Sequence, residues 1–269
     1  MAFEKTKFLT QLKKVTIVIL WVALCAGLMA SLAFIDKQEK GIKCTEVKVH
    51  IEPDNKTAAF VDRAMVLESI RKDGNENKIK GTLIEKINLP KLEYKLQHNP
   101  MIKSAEVYSD MNGVLNIHIE QRRPLLRVFN AFDETFYMDD EGLKMPVSPD
   151  FTAHTVVANG YIFEHGNGRD TALTQVLRDL VKIATYVDKD TFWNAQIEQI
   201  FVTAESEFML IPTVGNHVID LGDANELEDK FTRLFLFYRE AISRVGWNKY
   251  SSISARYKNQ IVCKKKNNQ

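Results

Sequence analysis

The groups that could do chemistry in this 269-residue chain are scattered along it. Its six histidines, His50, His98, His118, His154, His165 and His217, contain no His-Glu-x-x-His pair, the spacing that puts two imidazoles on one helix face for zinc. No Gly-x-Ser-x-Gly elbow presents a serine nucleophile. Asp139, Asp140 and Glu141 form an acidic run, but the ligand spacing of a calcium-binding loop is missing, so an exposed hairpin turn is the simpler reading. Gly166-Asn167-Gly168 lacks the phosphate-loop fingerprint and reads as a linker. Glycoside cleavage needs two carboxylates about 5 to 10 Å apart across a cleft, a geometry that one sequence with 35 Asp and Glu does not reveal. His118 falls on the polar side of its strand and reads as a surface residue. The expectation is a protein that is not an enzyme, with no catalytic residues, no cofactor, no metal site and no small-molecule substrate.

Three cysteines are too few for a disulfide framework. Cys25 lies in an apolar run, and Leu24 stands before it where a lipoprotein anchor needs a small residue. Cys44 and Cys263 could pair in an oxidising space, yet they sit far apart in sequence and are read as free thiols. Lys and Arg total 36 against 35 for Asp and Glu, so no strong field recommends nucleic acid or acidic lipid as a partner. Hydrophobic residues at 45% and charged residues at 26% are ordinary globular usage and exclude a disordered stalk.

These groups hang on a chain organised by residues 15–35, VTIVILWVALCAGLMASLAFI, which carry no charge. A helix of that length covers about 30 Å, the hydrocarbon thickness of a bilayer. Ser31-Leu32-Ala33 resembles a cleavage site, but signal-peptide apolar regions run only about 7 to 15 residues. A single retained transmembrane helix is therefore expected. Lys5, Lys7, Lys13 and Lys14 precede it, while Lys37, Lys40 and Lys43 follow. Because long domains translocate largely regardless of their own charge, the short leader is expected in the cytoplasm and the domain beyond residue 35 outside it.

Past a polar linker, 45–51 alternates, with Val47, Val49 and Ile51 on one side, as a half-buried strand does. Pro53-Asp54-Asn55 ends it by turn chemistry. Met65, Val66, Leu67 and Ile70 recur at helical spacing over 63–72, and Asp73-Gly74-Asn75 stops that helix. A second helix is expected over 89–97, with Pro90 in its first turn and Leu92 and Leu96 on one face. Strands at 102–108 and 114–121 follow, joined by a hairpin turn. The order strand, helix, helix, strand, strand describes a small α+β module.

Beyond it, Pro124 precedes an apolar strand at 125–129, and Pro146 and Pro149 mark an irregular crossing before a short strand at 155–158. An amphipathic helix spans 170–187 with Asp170 as N-cap. Strands at 197–202, 208–211 and 218–221 read as a meander. A second long helix covers 226–245, ended by Gly246, and carries Arg233, Arg239 and Arg244 among its polar positions. Residues 252–257 and 260–264 read as a terminal hairpin about Lys258-Asn259, followed by a solvated lysine tail.

An apolar anchor, this element order, and the run Leu96, Pro100, Ile102, Ala105, Val107 resemble the FtsQ/DivIB family of bacterial cell-division proteins, which carry a POTRA domain. Pro124 with its strand, and Tyr137-Met138-Asp139-Asp140-Glu141-Gly142, resemble that family's next strand and Asp-x-x-Gly turn. Gln121, Ser109 and Asn112 stand where family members usually carry an acidic residue, an Arg and a Pro. The implied fold class is α+β: a single N-terminal transmembrane helix, a POTRA domain (β-α-α-β-β), then a mixed α/β domain with an antiparallel sheet and two long helices. The implied division is 1–14 cytoplasmic leader, 15–35 transmembrane helix, 36–43 linker, 44–123 POTRA domain, 124–264 β domain and 265–269 tail.

The resemblance implies a non-catalytic divisome scaffold in the inner membrane at the division site, with its C-terminal domain periplasmic. Its expected partners are FtsB/FtsL-like membrane proteins, with FtsK and septal peptidoglycan synthase components as further ones. The family pairs FtsB with the C-terminal edge, and its Leu-Arg-Tyr corresponds at two of three positions to Ala255-Arg256-Tyr257. Partner-binding residues are therefore expected at Ile253, Ala255, Arg256, Tyr257, Ile261 and Cys263. The alternative is a membrane-anchored envelope enzyme or solute sensor, which a deep pocket with converging polar groups would favour. A third class, POTRA domains of outer-membrane assembly, would need a barrel for which this chain has no room.

Overall fold

The computed structural model describes residues 19–29, 41–52, 61–71, 79–148, 152–166 and 173–266. Residues 19–29 form α1, with every side chain exposed. No helix among the described residues is long and apolar enough to cross a membrane. The rest of the expected span, 15–18 and 30–35, lies outside the described residues, as does the leader. The chain divides into two compact units that interleave in sequence, one of 1–50, 63–96 and 105–118, the other of 51–62, 97–104 and 119–269.

The smaller unit is built on β1 (Glu46–Glu52), α2 (Arg63–Arg71), α3 (Leu89–Gln97), β2 (Ile102–Ser109) and β3 (Val114–Gln121), the order expected from the sequence. The three strands form one sheet in the order β1-β3-β2. Helix α3 starts where Asn88 Oδ1 accepts the Lys91 N–H at 2.9 Å, and Pro90 occupies a first-turn position whose N–H no helical carbonyl could have reached. Leu92 and Leu96, four apart and so on one face, are both buried. Leu115, Ile117 and Ile119 are fully buried at every second position of β3. The turn before β3 is set by Asp110, whose carboxylate accepts from Asn112 N at 2.9 Å and Val114 N at 2.8 Å. The expected stops at Pro53-Asp54-Asn55 and Asp73-Gly74-Asn75 lie outside the described residues.

The larger unit carries β4 (Pro124–Phe129), β5 (Thr135–Asp139), β6 (Lys144–Pro146), β7 (Val156–Gly160), α4 (Gln175–Lys189), α5 (Thr191–Gln196), β8 (Ile197–Val202), β9 (Phe208–Pro212), β10 (Val218–Gly222), α6 (Leu227–Phe237), α7 (Ser243–Val245), β11 (Tyr250–Ser254) and β12 (Val262–Lys265). A single π-helical turn, Tyr238–Ile242, joins α6 to α7. Its strands make one nine-stranded sheet in the order β12-β11-β10-β9-β8-β7-β4-β5-β6. Leu126, Val128, Met138, Ala158, Ile200, Leu210, Ile219 and Ile253 share one core with Leu177, Leu180 and Ile183 of α4 and Phe231 and Leu234 of α6. Each of these Leu, Val, Ile, Met and Phe side chains contributes about 1.5 to 3 kcal/mol over leaving it in water.

The expected antiparallel sheet is instead mixed. β4 with β7, β7 with β8, and β10 with β11 pair parallel. For the last two pairs the cause is the helices: α4 and α5 separate β7 from β8, and α6 separates β10 from β11, so each crossover returns the chain in its starting direction. The meander expected at 197–221 does form, with β8–β9 and β9–β10 antiparallel. Pro146 does not mark irregular chain; it ends β6, the sheet's edge strand, where a missing N–H costs no ladder bond. Asp170 lies outside the described residues, and α4 is capped by Thr174, whose side chain accepts from Leu177 N. α5 was not expected; Asp190 caps it, accepting from the N–H groups of Phe192 and Trp193.

The acidic turn is exposed at Asp140 and Glu141, as expected, but its first residue is not. Asp139 is 1% exposed. Its Oδ1 accepts from Glu141 N at 3.0 Å and Leu143 N at 2.6 Å, and its Oδ2 accepts from the Arg122 guanidinium. Among the described residues, no three His, Cys, Asp or Glu side chains gather as a metal site requires.

Candidate functional site at the C-terminal sheet edge

β12 is the last strand in the sheet order, paired antiparallel with β11 on one side and with no strand on the other among the described residues. Val262 faces Ser254, Cys263 faces Ile253, Lys264 faces Ser252 and Lys265 faces Tyr250. The strand boundaries differ from the expected hairpin: the strands end and begin earlier and later, and 255–261 form a loop rather than a two-residue turn. That loop is closed by Asn259 in the left-handed region at φ 59°. Lys265, assigned to the tail by its charge, belongs to β12.

One side chain of α6 holds the loop. Arg233 Nη1 donates to Tyr257 O at 2.8 Å and Gln260 O at 2.6 Å, and Nη2 donates to Ala255 O at 3.2 Å. Its Nε donates to Asp229 one turn earlier at 3.0 Å, which fixes the fork. The helix pattern places Arg233 on a polar face, but a sequence carries no mark that three carbonyls 22 to 27 residues away converge on it.

The six expected binding residues do not share one environment. Ile253 and Ala255 are fully buried in the core, so their side chains face α6 and its neighbours. Ile261 and Cys263 are partly buried against the same core. Burial pushes the Cys263 thiol up, and Cys25, Cys44 and Cys263 all carry free thiols. Arg256 is engaged within the chain, with Asp220 at 3.2 Å and with Glu207. Beneath it, Gly222 at φ 71° leaves no room to spare: a Cβ there would stand 3.1 Å from Arg256 Cγ. Tyr257 is 50% exposed and Val262 44%, and these two give the edge its accessible apolar surface.

The neighbouring connection is anchored by a buried lysine. Lys230, 5% exposed, donates to Asp223 O at 2.9 Å and Asp223 Oδ1 at 2.6 Å. The Lys230 hydrogen bond draws the Asp223 carboxyl down to about 2. At the start of β10, His217 is buried and meets the Tyr238 hydroxyl at 2.5 Å. Burial pushes His217 below the ordinary imidazole value and Tyr238 above the ordinary phenol value.

The larger unit, with its terminal edge, coincides with what comparison finds. The family model described as FtsQ/DivIB, C-terminal related matches residues 123–264, more than half of the chain. The chain belongs to that family. A POTRA-like domain model matches residues 42–120, the stretch that holds β1, α2, α3, β2 and β3. No curated protein matches the chain. Membership in the FtsQ/DivIB family makes this a cell-division protein, with α+β architecture throughout both matched stretches.

Proposed function

We propose that this FtsQ/DivIB family member is a non-catalytic scaffold of the division site that takes a partner's β-strand onto β12. The observation that carries the reading is the position of β12 at the end of the sheet order, with no strand beyond it among the described residues. An edge strand presents main-chain N–H and C=O groups that a second chain can satisfy, while alternate side chains select which chain. β12, VCKK, contains no proline to block such pairing. Tyr257 and Val262 supply apolar contact beside it.

In this reading 15–35 anchors the chain in the inner membrane, the leader is cytoplasmic, and the domains beyond 43 are periplasmic. Its uncharged 21-residue composition supports the anchor. The partners are membrane division proteins of the FtsB/FtsL kind, with FtsK and septal synthase components further along. A module boundary at Pro124 is supported by the family matches, which end at 120 and resume at 123.

The test replaces Tyr257→Ala and, separately, Val262→Pro in the full-length chain, then measures partner capture and folding together. Capture lost from a folded protein is the expected result. Unchanged capture by both variants moves the binding surface elsewhere. Protease added to spheroplasts checks the topology: the domain beyond residue 43 should be digested and the leader spared.

A further inference from the structure

Away from β12, and separated from it in sheet order by β9, β10 and β11, the larger unit holds a pocket of about 420 Å³. It opens where β7 and β8 begin and β9 ends, lined among others by Arg127, His154, Thr155, Asn194, Glu198 and Thr213. The sheet's two-residue alternation places Arg127 there. Leu126 and Val128 face the core, so Arg127 between them faces the other side, in a row with Val157, Gln199 and Ile211.

Two polar atoms in this wall lack what every buried polar atom needs. Arg127 Nε and Thr155 Oγ1 are both buried and make no hydrogen bond. Arg122, Arg123, Arg233, Arg239, Arg244 and Arg256 all meet a carboxylate, whereas among the described residues Arg127 is held only by rings, its guanidinium carbon 5.0 Å from the centroid of Phe129 and 5.6 Å from that of Tyr137. Ring faces steady a cation without satisfying its N–H groups. A guanidinium positioned by aromatic rings, in the wall of an open volume and with no hydrogen-bond acceptor among the described residues, can present its Nη groups to a planar oxyanion that accepts two hydrogen bonds. The hydroxyl of Thr155, left unpaired in the same wall, offers a second point of attachment.

Glu198 narrows the choice. A carboxylate in the same wall disfavours a multivalent anion such as phosphate and matches an occupant that brings its own cation. The volume lies within the range of small-ligand sites, roughly 300 to 1,000 Å³. We infer that this pocket binds the carboxylate of a zwitterionic amino acid or short peptide, with Arg127 as the anchor, Thr155 as a second contact and Glu198 facing the ammonium. Such a site makes the scaffold a sensor of small peptides as well, a role independent of strand addition at β12.

The experiment titrates the full-length chain in mild detergent by calorimetry with alanine, Ala-Ala, Ala-Ala amide, N-acetyl-Ala-Ala and inorganic phosphate. Saturable binding of Ala-Ala is expected, weaker by about tenfold or more for the amide, which loses the charge-assisted pair. The acetylated peptide should also bind more weakly, and tighter binding of Ala-Ala than of alanine assigns the site to a peptide end. Arg127→Met should abolish binding. Thr155→Val should weaken it while raising the melting temperature of the empty protein, because it removes an unpaired buried hydroxyl, and this keeps the test decisive even where Arg127→Met folds poorly. The inference falls if Ala-Ala shows no saturable binding at tens of millimolar, if acid and amide bind alike, if acetylation changes nothing, if phosphate binds more tightly than the peptide, or if a folded Arg127→Met still binds.

Discussion

The nine-stranded sheet has two ends, and they are built differently. β6, Lys144–Pro146, is three residues long, ends in a proline and buries Met145 completely. β12, Val262–Lys265, has no proline, and Val262, Lys264 and Lys265 are exposed. Proline at β6 removes a donor that a docking strand would need. At β12 the only deterrents are charged side chains, which a partner of opposite charge turns into attraction. One edge is closed by covalent structure and the other is guarded conditionally, an asymmetry that suits the proposed docking of a partner at β12 alone.

The largest effect should come from the closed end. Arg122→Ala leaves Asp139 buried with no cation, beside β5 and β6, and should cost about 3 to 5 kcal/mol in urea unfolding. Partner capture per folded molecule should stay unchanged, since this damage lies on the side away from β12. At the open end, Arg233→Ala releases three carbonyls of the 255–261 loop. It should cost about 2 kcal/mol, the scale of one or two charge-assisted hydrogen bonds, and it should also weaken capture because β12 loses its fixed approach. If Arg122→Ala impaired capture and Arg233→Ala did not, the two ends would have exchanged roles.

How much of this was legible in the sequence follows from which interactions are local. α3 and β3 were expected at 89–97 and 114–121 and occur there, because Pro90, Leu92 and Leu96, and then Leu115, Ile117 and Ile119, state a period by themselves. The parallel pairings were missed because register between β7 and β8, or β10 and β11, depends on a helix crossing that alternation does not encode. At the edge, Arg256 and Tyr257 looked alike as exposed binding groups. Folding spends Arg256 on Asp220 and Glu207 and leaves Tyr257 open. Arg233 and Arg127 carried no local signal, since what distinguishes one is convergence of distant carbonyls and the other the lack of a hydrogen-bond acceptor among the described residues.

Acid should act on the β12 side in two steps. His217 takes its proton less readily folded than unfolded, so its contribution is complete above about 6.5, its ordinary value, and declines as pH falls below that. Urea midpoints should therefore fall between pH 7 and 5.5, and His217→Gln, which keeps a partner for the Tyr238 hydroxyl, should flatten that slope. Asp223 adds a second loss at lower pH. Its carboxyl titrates near 3.8 unfolded and about 2 folded, so its stabilisation is present above about 4 and vanishes as pH falls through about 2. With the Asp223 side chain 61% exposed, solvent screening holds that contribution under about 1 kcal/mol. Asp223→Asn should remove the second step alone; a variant that kept it would assign the acid sensitivity to another carboxylate.

The smallest effect tests the guards themselves. Lys264→Gln with Lys265→Gln removes two charges from β12 and touches no buried group, so folding stability should move by no more than a few tenths of a kcal/mol. What should change is selectivity: with the deterrent gone, the edge pairs with itself, and sedimentation should show concentration-dependent self-association stronger than that of the unaltered chain. Pro146→Val restores an N–H to β6 and is the matched change at the other end. Its effect should be weaker still, because three residues with Met145 buried offer a docking strand fewer bonds and less surface than β12 does. Association that rises equally in both variants would mean that strand length, rather than the lysines and the proline, decides which edge is open. Association that rises only with the lysine changes keeps the two ends distinct for the reason their residues give: one lacks a donor, the other only repels.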